Sequence, residues 1–151
     1  MPQSLAKILV HLIFSTKNRF PFLTEEPIRS ELNSYLAGVL REWDSPAIPA
    51  GSVKDHVHIL CALSKNHAMC KIVEEIKRSS SKWIKTKDPQ FEKFQWQNGY
   101  GAFSVSQSDA ESVRAYILHQ DEHHRTRTFQ EEFRLFLERY QVPYDERYVW
   151  D

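Results

Sequence analysis

The sequence predicts an α+β fold of the ferredoxin-like type: a split βαβ antiparallel sheet with helices packed against it, plus a C-terminal helical tail. Three observations lead to this prediction. Apolar runs rich in Ile, Val, Leu and Phe alternate with segments of helical periodicity in the order β-α-β-β-α-β. Capping signals then mark further helices. The 151 residues contain no repeats or low-complexity linkers, so we expect one domain over residues 1–151.

The N-terminal half is predicted to supply three strands and one helix. Residues 7–15 form a run typical of a buried strand. Thr24 is predicted to cap a helix that Pro46 ends, and strands over residues 47–53 and 56–63 follow. The apolar face of that helix has core-facing spacing and consists of Ile28, Leu32, Tyr35, Leu36, Val39 and Leu40.

The C-terminal half is predicted to alternate in the same way. A helix over residues 68–86 precedes a short strand at residues 102–106. Capping boxes that begin at Ser108 and Thr128 predict two further helices, and Pro143 stops the second of them. One face of this last helix collects Phe133, Phe136, Leu137 and Tyr140.

Composition argues against several classes of protein. Four Trp, six Tyr and nine Phe with only four Gly are typical of a packed globule and not of a disordered chain. No apolar run approaches the ~20 residues that span a bilayer, and the N-terminus lacks the features of a signal peptide. Cys61 and Cys70 are too few for a disulfide framework. We therefore expect a cytoplasmic protein with reduced thiols and no membrane partner.

The charge of the chain is balanced overall but not locally. The 20 Lys and Arg against 20 Asp and Glu argue against a protein that coats nucleic acid by charge alone. Residues 65–94, however, hold eight basic and four acidic side chains. A solvated helix face is the simplest interpretation of this segment, and a phosphate-contacting surface is the alternative.

Two pairs of side chains suggest chemistry. In Asp55-His56-Val57-His58-Ile59-Leu60 the two histidines flank one residue of a predicted strand, so both point to one face, which we expect to be open. Tyr116 and Gln120 stand four residues apart in a helical pattern and share a helix face. Together the pairs offer two imidazoles, one amide oxygen and one phenol. This combination indicates a metal site beside a nucleophile.

Each of these residues also has a structural interpretation. Two strand histidines can lie on a solvated sheet face, because a single H-x-H pattern is a weak motif. Tyr116 can be a core aromatic and Gln120 a surface amide. The pair His123-His124 can contact phosphate, form a second metal site or have no function. A structural role is assigned to the remaining histidines, His11, His67 and His119.

Several longer motifs occur in a fixed order along nearly the whole chain. They are HLIFSTKNR (11–19), DHVHIL (55–60), IKRSSSKW (76–83), WQNGYGAFSVS (96–106), YILHQ (116–120), HHR (123–125) and YDERY (144–148). On these motifs the chain resembles the single-tyrosine transposases of small bacterial insertion sequences, members of the His-hydrophobic-His (HUH) nuclease superfamily. The resemblance implies one HUH transposase domain.

The resemblance also implies roles for individual residues. His56, His58 and Gln120 take the positions of metal ligands, and Tyr116 takes that of the nucleophile. His119 stands where relatives often have Asn, but it replaces none of these four residues. Two neutral imidazoles and a neutral amide leave a divalent cation its full charge for the scissile phosphate. Imidazole accepts Mn²⁺ as well as Mg²⁺, so either ion is expected as the cofactor.

Attack by the Tyr116 phenol would give a 5′-phosphotyrosine link and a free 3′-hydroxyl, and a later 3′-hydroxyl could reverse the reaction without ATP. The chain has no G-x-x-x-x-G-K-[ST] motif, which agrees with the expected absence of a nucleotide cofactor. A phenol has an unperturbed pKa of about 10, so its proton must be removed or its anion stabilised. The sequence does not identify the base.

The expected substrate also comes from the resemblance. Relatives act on single-stranded DNA with imperfect hairpins and form dimers, in which the tyrosine helix can lie against the histidines of the other subunit. We therefore expect single-stranded hairpin DNA as the partner, a homodimer and a site shared between subunits. Candidate DNA contacts, all basic or aromatic, are Lys77, Arg78, Lys82, Trp83, Arg125 and Arg127.

Three other functions would use parts of the same pattern. A host-domesticated HUH nuclease that cuts repeated palindromes would use the same residues. A non-catalytic DNA-binding module on the same sheet would tolerate replacement of Tyr116 and both strand histidines. A metal-dependent hydrolase would be built on His56, His58 and the pair His123-His124.

Overall fold

The computed structural model describes residues 2–120 and 127–151. Within those ranges it confirms the predicted order of elements and the α+β ferredoxin-like fold. The strands and helices are, in chain order, β1 (Leu9–Ser15), α1 (Glu26–Glu42), β2 (Ala47–Ser52), β3 (His56–Ala62), α2 (Met69–Lys85), β4 (Gly101–Val105), α3 (Ala110–Leu118) and α4 (Phe129–Arg139). None of the helices in the described ranges is long and apolar enough to cross a membrane.

The sheet has β3 and β1 at its centre. Its strand order is β2-β3-β1-β4, and all neighbouring strands are antiparallel. Each helical crossover, through α1 or α2, therefore joins two parallel strands that are separated by a third strand. In β3, His58 lies opposite Ile13 of β1 and Gly51 of β2, and His56 lies opposite Ser15. Because directly opposed residues share a face, one side of the sheet carries both histidines.

Helices cover both faces of this sheet. On the face opposite the histidines, α1 and α2 enclose the larger core, which includes Phe14 and Val57 from the strands. On the histidine face, α4 buries Phe133 against Ile13, and α3 adds Ile117 to a smaller cluster. Each large apolar side chain that is fully buried stabilises the fold by about 1.5–3 kcal/mol. The C-terminal helix is thus held on the sheet by its own hydrophobic contacts.

Two predicted boundaries of α1 are wrong. The N-cap residue is Glu25 and not Thr24, and no side chain caps this helix. At the other end the helix stops before Pro46 is reached, because Asp44 adopts a left-handed backbone conformation with φ 53°. Asp tolerates this conformation better than most residues do, and it turns the chain out of the helix.

The capping box predicted at Ser108 is wrong, whereas the helix start predicted at Thr128 is confirmed. The Ser108 hydroxyl is paired with that of Ser106 at 3.0 Å, and α3 begins at Ala110 without a side-chain cap. At α4, Thr128 Oγ1 accepts from the backbone N–H of Glu131 at 3.2 Å. This cap determines where α4 starts and therefore which of its side chains face the sheet.

Candidate functional site

The histidine pair of β3 lies on one face of the sheet, as predicted, but that face is not open. His56 and His58 are both 0% exposed. Helix α4 covers them, with the Phe129 ring 4.8 Å from the ring of His56 and the Phe136 ring 6.3 Å from the ring of His58. The expectation of an open face is wrong because the amphipathic α4 lays its apolar side over it.

Both imidazoles direct the same ring nitrogen at one carboxylate. Glu132 of α4 is 1% exposed, and its Oε1 lies 2.7 Å from His58 Nε2 and 3.4 Å from His56 Nε2. The Nδ1 atoms have other partners. That of His56 lies 2.7 Å from Asp55 Oδ1, and that of His58 lies 2.8 Å from His11 Nε2. Each ring is therefore fixed through Nδ1 while the two Nε2 atoms converge.

The electrostatics of this centre favour a positive charge. Burial lowers the pKa of His56, but hydrogen bonds to Asp55 and Glu132 and the charges of both carboxylates outweigh it, so the pKa is raised. One ligand atom each from His56, His58 and Glu132 lie within 4.8 Å of one another. Imidazole and carboxylate are ligands that divalent first-row metals accept. The three side chains could therefore hold a divalent metal ion.

The tyrosine predicted as the nucleophile lies beside this cluster in the same chain. The Tyr116 hydroxyl donates to Glu132 Oε2, and its ring centroid is 5.7 Å from that of His58. Burial raises the pKa of Tyr116, and the charge of Glu132 and the hydrogen bond to Glu132 raise it further. The charges of Arg127 and Arg139 lower the pKa of Tyr116, but by less. The phenol is thus protonated, with a carboxylate oxygen in place to accept its proton.

Gln120 also reaches the histidine face, although not on the regular helix that was predicted to carry it. Helix α3 ends at Leu118, before Gln120. The amide lies over β2, where a Cβ on Gly51 would come within 2.8 Å of Gln120 Nε2, and Gly51 lies opposite His58. Both amide atoms are buried without a hydrogen-bond partner among the described residues. Such orphaned groups are rare in proteins.

Glu132 is the candidate functional residue that the sequence reasoning missed. It lies three residues after Phe129 and four before Phe136, on the apolar face of α4. A carboxylate within an apolar stripe was the available signal, because a buried charge needs partners. The partners come from other elements: His58 of β3 and Tyr116 of α3 lie 74 and 16 residues from Glu132.

Lys77, predicted to contact DNA, is engaged within the protein. Its ammonium donates to the backbone carbonyls of Gln97 at 2.8 Å and Gly99 at 2.5 Å, and burial lowers its pKa to about 8. Lys77 therefore fastens the segment that precedes β4. A DNA contact by the same ammonium would have to share it with these carbonyls.

The other predicted DNA contacts are spread over the molecule. Arg78 is half-exposed and donates to Glu75 at 2.5 Å, Lys82 is exposed, and the Trp83 ring stacks on Tyr35 with centroids 4.8 Å apart. These residues lie on α2, across the sheet from the histidines. Arg127 is exposed near the phenol, whereas three predicted residues lie outside the described ranges: His123, His124 and Arg125.

Comparison with known proteins gives one family and two solved structures of similar fold. The family model described as "Transposase IS200 like" matches residues 4–120. A crystal structure of a protein from Deinococcus radiodurans R1, titled as a transposase, is 22% identical with a TM-score of 0.62, covering 80% of this chain and 95% of that one. A REP-associated tyrosine transposase bound to a REP hairpin is 16% identical with a TM-score of 0.60, and the match covers 82% of this chain and 73% of that one. No curated protein matches significantly.

Proposed function

Because this chain belongs to the IS200-like transposase family, we propose that it cleaves and rejoins single-stranded DNA at hairpin-marked ends through a 5′-phosphotyrosine at Tyr116. One observation carries the proposal. The Tyr116 hydroxyl and the Nε2 atoms of both strand histidines meet at the carboxylate of Glu132. A nucleophile, two imidazoles and a proton acceptor thereby converge at one buried point, which a merely structural tyrosine would not require.

The metal in this proposal would be held by His56, His58 and Glu132. Gln120 fits as a further ligand, because its buried amide has no hydrogen-bond partner among the described residues. Bound Mg²⁺ or Mn²⁺ would withdraw charge from the scissile phosphate and stabilise the leaving oxygen. Mn²⁺ suits imidazole ligands better than Mg²⁺ does, and we expect it to be at least as effective.

Side chains of this protein carry out the remaining steps of the proposed reaction. Glu132 Oε2 accepts the proton of the Tyr116 hydroxyl, which is its hydrogen-bond donor in the resting site. The phenolic oxygen then forms a bond to phosphorus, and the bond from phosphorus to the 3′-oxygen breaks. That oxygen takes up a proton and leaves as a 3′-hydroxyl. The reverse of these steps, with another 3′-hydroxyl, rejoins DNA without an external energy source.

The proposed substrate is supported by a similar fold and by a groove along α2, across the sheet from the histidines. The similar REP-associated transposase was solved with a hairpin. Here Arg78 and Tyr100 line a groove of about 600 Å³ between α2 and the segment before β4. The groove includes Gln97, whose backbone N–H donates to the carbonyl of Ser15 at 2.9 Å, and Ser15 lies opposite His56.

The whole chain is proposed to act as one domain in the cytoplasm. The family model ends at residue 120, but α4, beyond it, supplies Glu132 to the site and Phe133 to the core. Removing α4 is thus incompatible with an intact site.

The direct test of the proposal is a covalent adduct. The protein is incubated with labelled single-stranded DNA from the ends flanking its gene, with Mn²⁺ or Mg²⁺, and separated under denaturing conditions. We expect a protein-linked label that depends on metal, and a loss of that label when the hairpin is disrupted by base changes. Label transfer that persists in excess chelator, or no transfer with any flanking hairpin, would contradict the proposed function.

The position of Tyr116 changes the expectation of a site shared between subunits. The structure brings Tyr116, His58 and Glu132 together within one chain. We therefore propose a site composed within one chain, while the homodimer stays a prediction. A mixture of Tyr116→Phe and His58→Ala proteins is expected to stay inactive after subunit exchange, because every site carries one lesion. Cleavage restored in the mixture would show that sites form across subunits.

A further inference from the structure

His11 contacts the ring of His58, and the structural role predicted for His11 does not explain this contact. It belongs to β1, is 2% exposed, and its Nε2 lies 2.8 Å from Nδ1 of His58. The two ring centroids are 5.0 Å apart, and the His11 ring packs edge-on against Phe136 at 5.2 Å. Only one proton can lie between two ring nitrogens at this distance. The position of that proton decides which nitrogen of His58 is available for a metal.

The chemistry of metal binding selects one of the two arrangements. For His58 Nε2 to bind a cation, that nitrogen must carry no proton, so the proton of the neutral ring sits on Nδ1. The Nδ1–H must then donate to His11 Nε2, which acts as the acceptor. The two nitrogens lie 2.8 Å apart, which fits an N–H donor on His58 and the lone pair of His11 Nε2 as its acceptor.

The second histidine has an equivalent support. His56 Nδ1 lies 2.7 Å from Asp55 Oδ1, and that carboxylate is an acceptor in any protonation state of the ring. Metal-ligating histidines nearly always donate their other ring N–H to such a partner, which orients the ring and raises its basicity. Asp55 is the preceding residue in the chain, whereas His11 reaches His58 from the neighbouring strand β1.

We propose that His11 is a positioning residue of the metal centre: it accepts the Nδ1–H of His58 and so leaves His58 Nε2 unprotonated, as the nitrogen that can bind a metal. The inference rests on the proposed metal-dependent function and deepens it. It assigns the first motif of the sequence, which begins at His11, to the same site as the histidine pair of β3.

Two substitutions separate the hydrogen bond from the packing of the ring. His11→Leu keeps an apolar side chain of similar volume but removes the acceptor. His11→Gln retains an oxygen acceptor near the position of Nε2. Mn²⁺ affinity, measured by electron paramagnetic resonance of the free ion, is expected to fall about 10–100-fold in His11→Leu. In His11→Gln it should stay within a few-fold of the unsubstituted protein. His67→Leu, which removes a histidine that contacts Trp43 elsewhere, is the matched control.

The outcomes distinguish this inference from the proposed function. Equal Mn²⁺ affinity in His11→Leu and the unsubstituted protein, with loss of binding in His58→Ala, would overturn the role of His11 and leave the metal site standing. Equal weakening in His11→Leu and His11→Gln would assign the effect to packing and overturn it as well. Undiminished binding in His58→Ala would instead contradict the metal site itself.

A measurement on the unsubstituted protein makes the test independent of variant folding. With Zn²⁺ as a diamagnetic probe, long-range proton–nitrogen correlation spectra report which ring nitrogen of His58 carries the proton. We expect Nδ1 to be protonated and Nε2 to be metal-bound. A spectrum in which His58 binds the metal through Nδ1 would overturn the inference.

Discussion

Replacing Tyr116 with phenylalanine is expected to abolish the covalent protein–DNA adduct and strand cleavage while DNA binding stays within a few-fold of the unsubstituted protein. The substitution removes a single oxygen atom, the one that donates to Glu132 Oε2. The ring stays packed beside His58 and Phe136. The lost hydrogen bond to a charged group costs about 1.5–3 kcal/mol of folding stability, which a thermal melt will detect as a modest decrease in Tm. Adduct yield on a denaturing gel measures the chemistry.

The matched control is Tyr140→Phe. The Tyr140 hydroxyl also makes a hydrogen bond, donating to the carbonyl of Ser104 at 3.1 Å, but it lies on an exposed part of the molecule. This variant is expected to form the adduct at the normal rate. Adduct formation by Tyr116→Phe would assign the nucleophile to another residue, whatever the behaviour of the control.

Replacing His58 with alanine is expected to abolish metal-dependent cleavage. It is also expected to weaken Mn²⁺ binding by more than the loss of a residue that only supports a ligand, such as His11, which costs about 10–100-fold. Because His58 is fully buried, the variant will also be less stable. Truncation leaves a cavity, and both His11 and Glu132 lose a hydrogen-bond partner. Mn²⁺ binding by calorimetry and Tm without metal separate the two effects.

Ile13→Ala is the control for loss of stability. Ile13 lies opposite His58 on the same face of the sheet and is equally buried, but it offers no ligand atom. Its truncation is expected to cost about 2–5 kcal/mol and to leave Mn²⁺ affinity nearly unchanged in the folded protein. If His58→Ala binds Mn²⁺ as tightly as Ile13→Ala does, His58 is not a ligand. Full cleavage after verified removal of metal would likewise exclude the proposed role of the ion.

Local patterns in the sequence were sufficient for the order of elements and for the common face of the histidine pair. The alternation of side chains in a strand placed His56 and His58 on one face, and helical spacing placed the apolar stripe of α1 in the core. The local pattern predicted helix boundaries wrongly where the adjoining turn made contacts or adopted backbone angles that the pattern does not include. Asp44 ends α1 before Pro46, and the Ser108 hydroxyl pairs with Ser106 and leaves α3 uncapped.

The assignment of Tyr116, Gln120 and the two histidines to one site came from the sequence through its motifs, and their roles stay a prediction. Gln120 shows what spacing alone could not decide. The regular helix ends at Leu118, yet the amide still reaches the histidine face over Gly51, because a glycine there leaves room that a Cβ would fill.

By itself, then, the sequence predicted the family and the sheet, which are confirmed, and four candidate site residues. Only the tertiary structure decided that α4 closes the histidine face, that Glu132 meets both histidines and Tyr116, and that His11 supports His58. The physical reason is the separation of these partners along the chain. His11 and Glu132 lie 47 and 74 residues from His58, and neither helical nor strand periodicity relates residues at such distances. Their contacts exist because packing of β1 and α4 against β3 buries polar groups that must find one another.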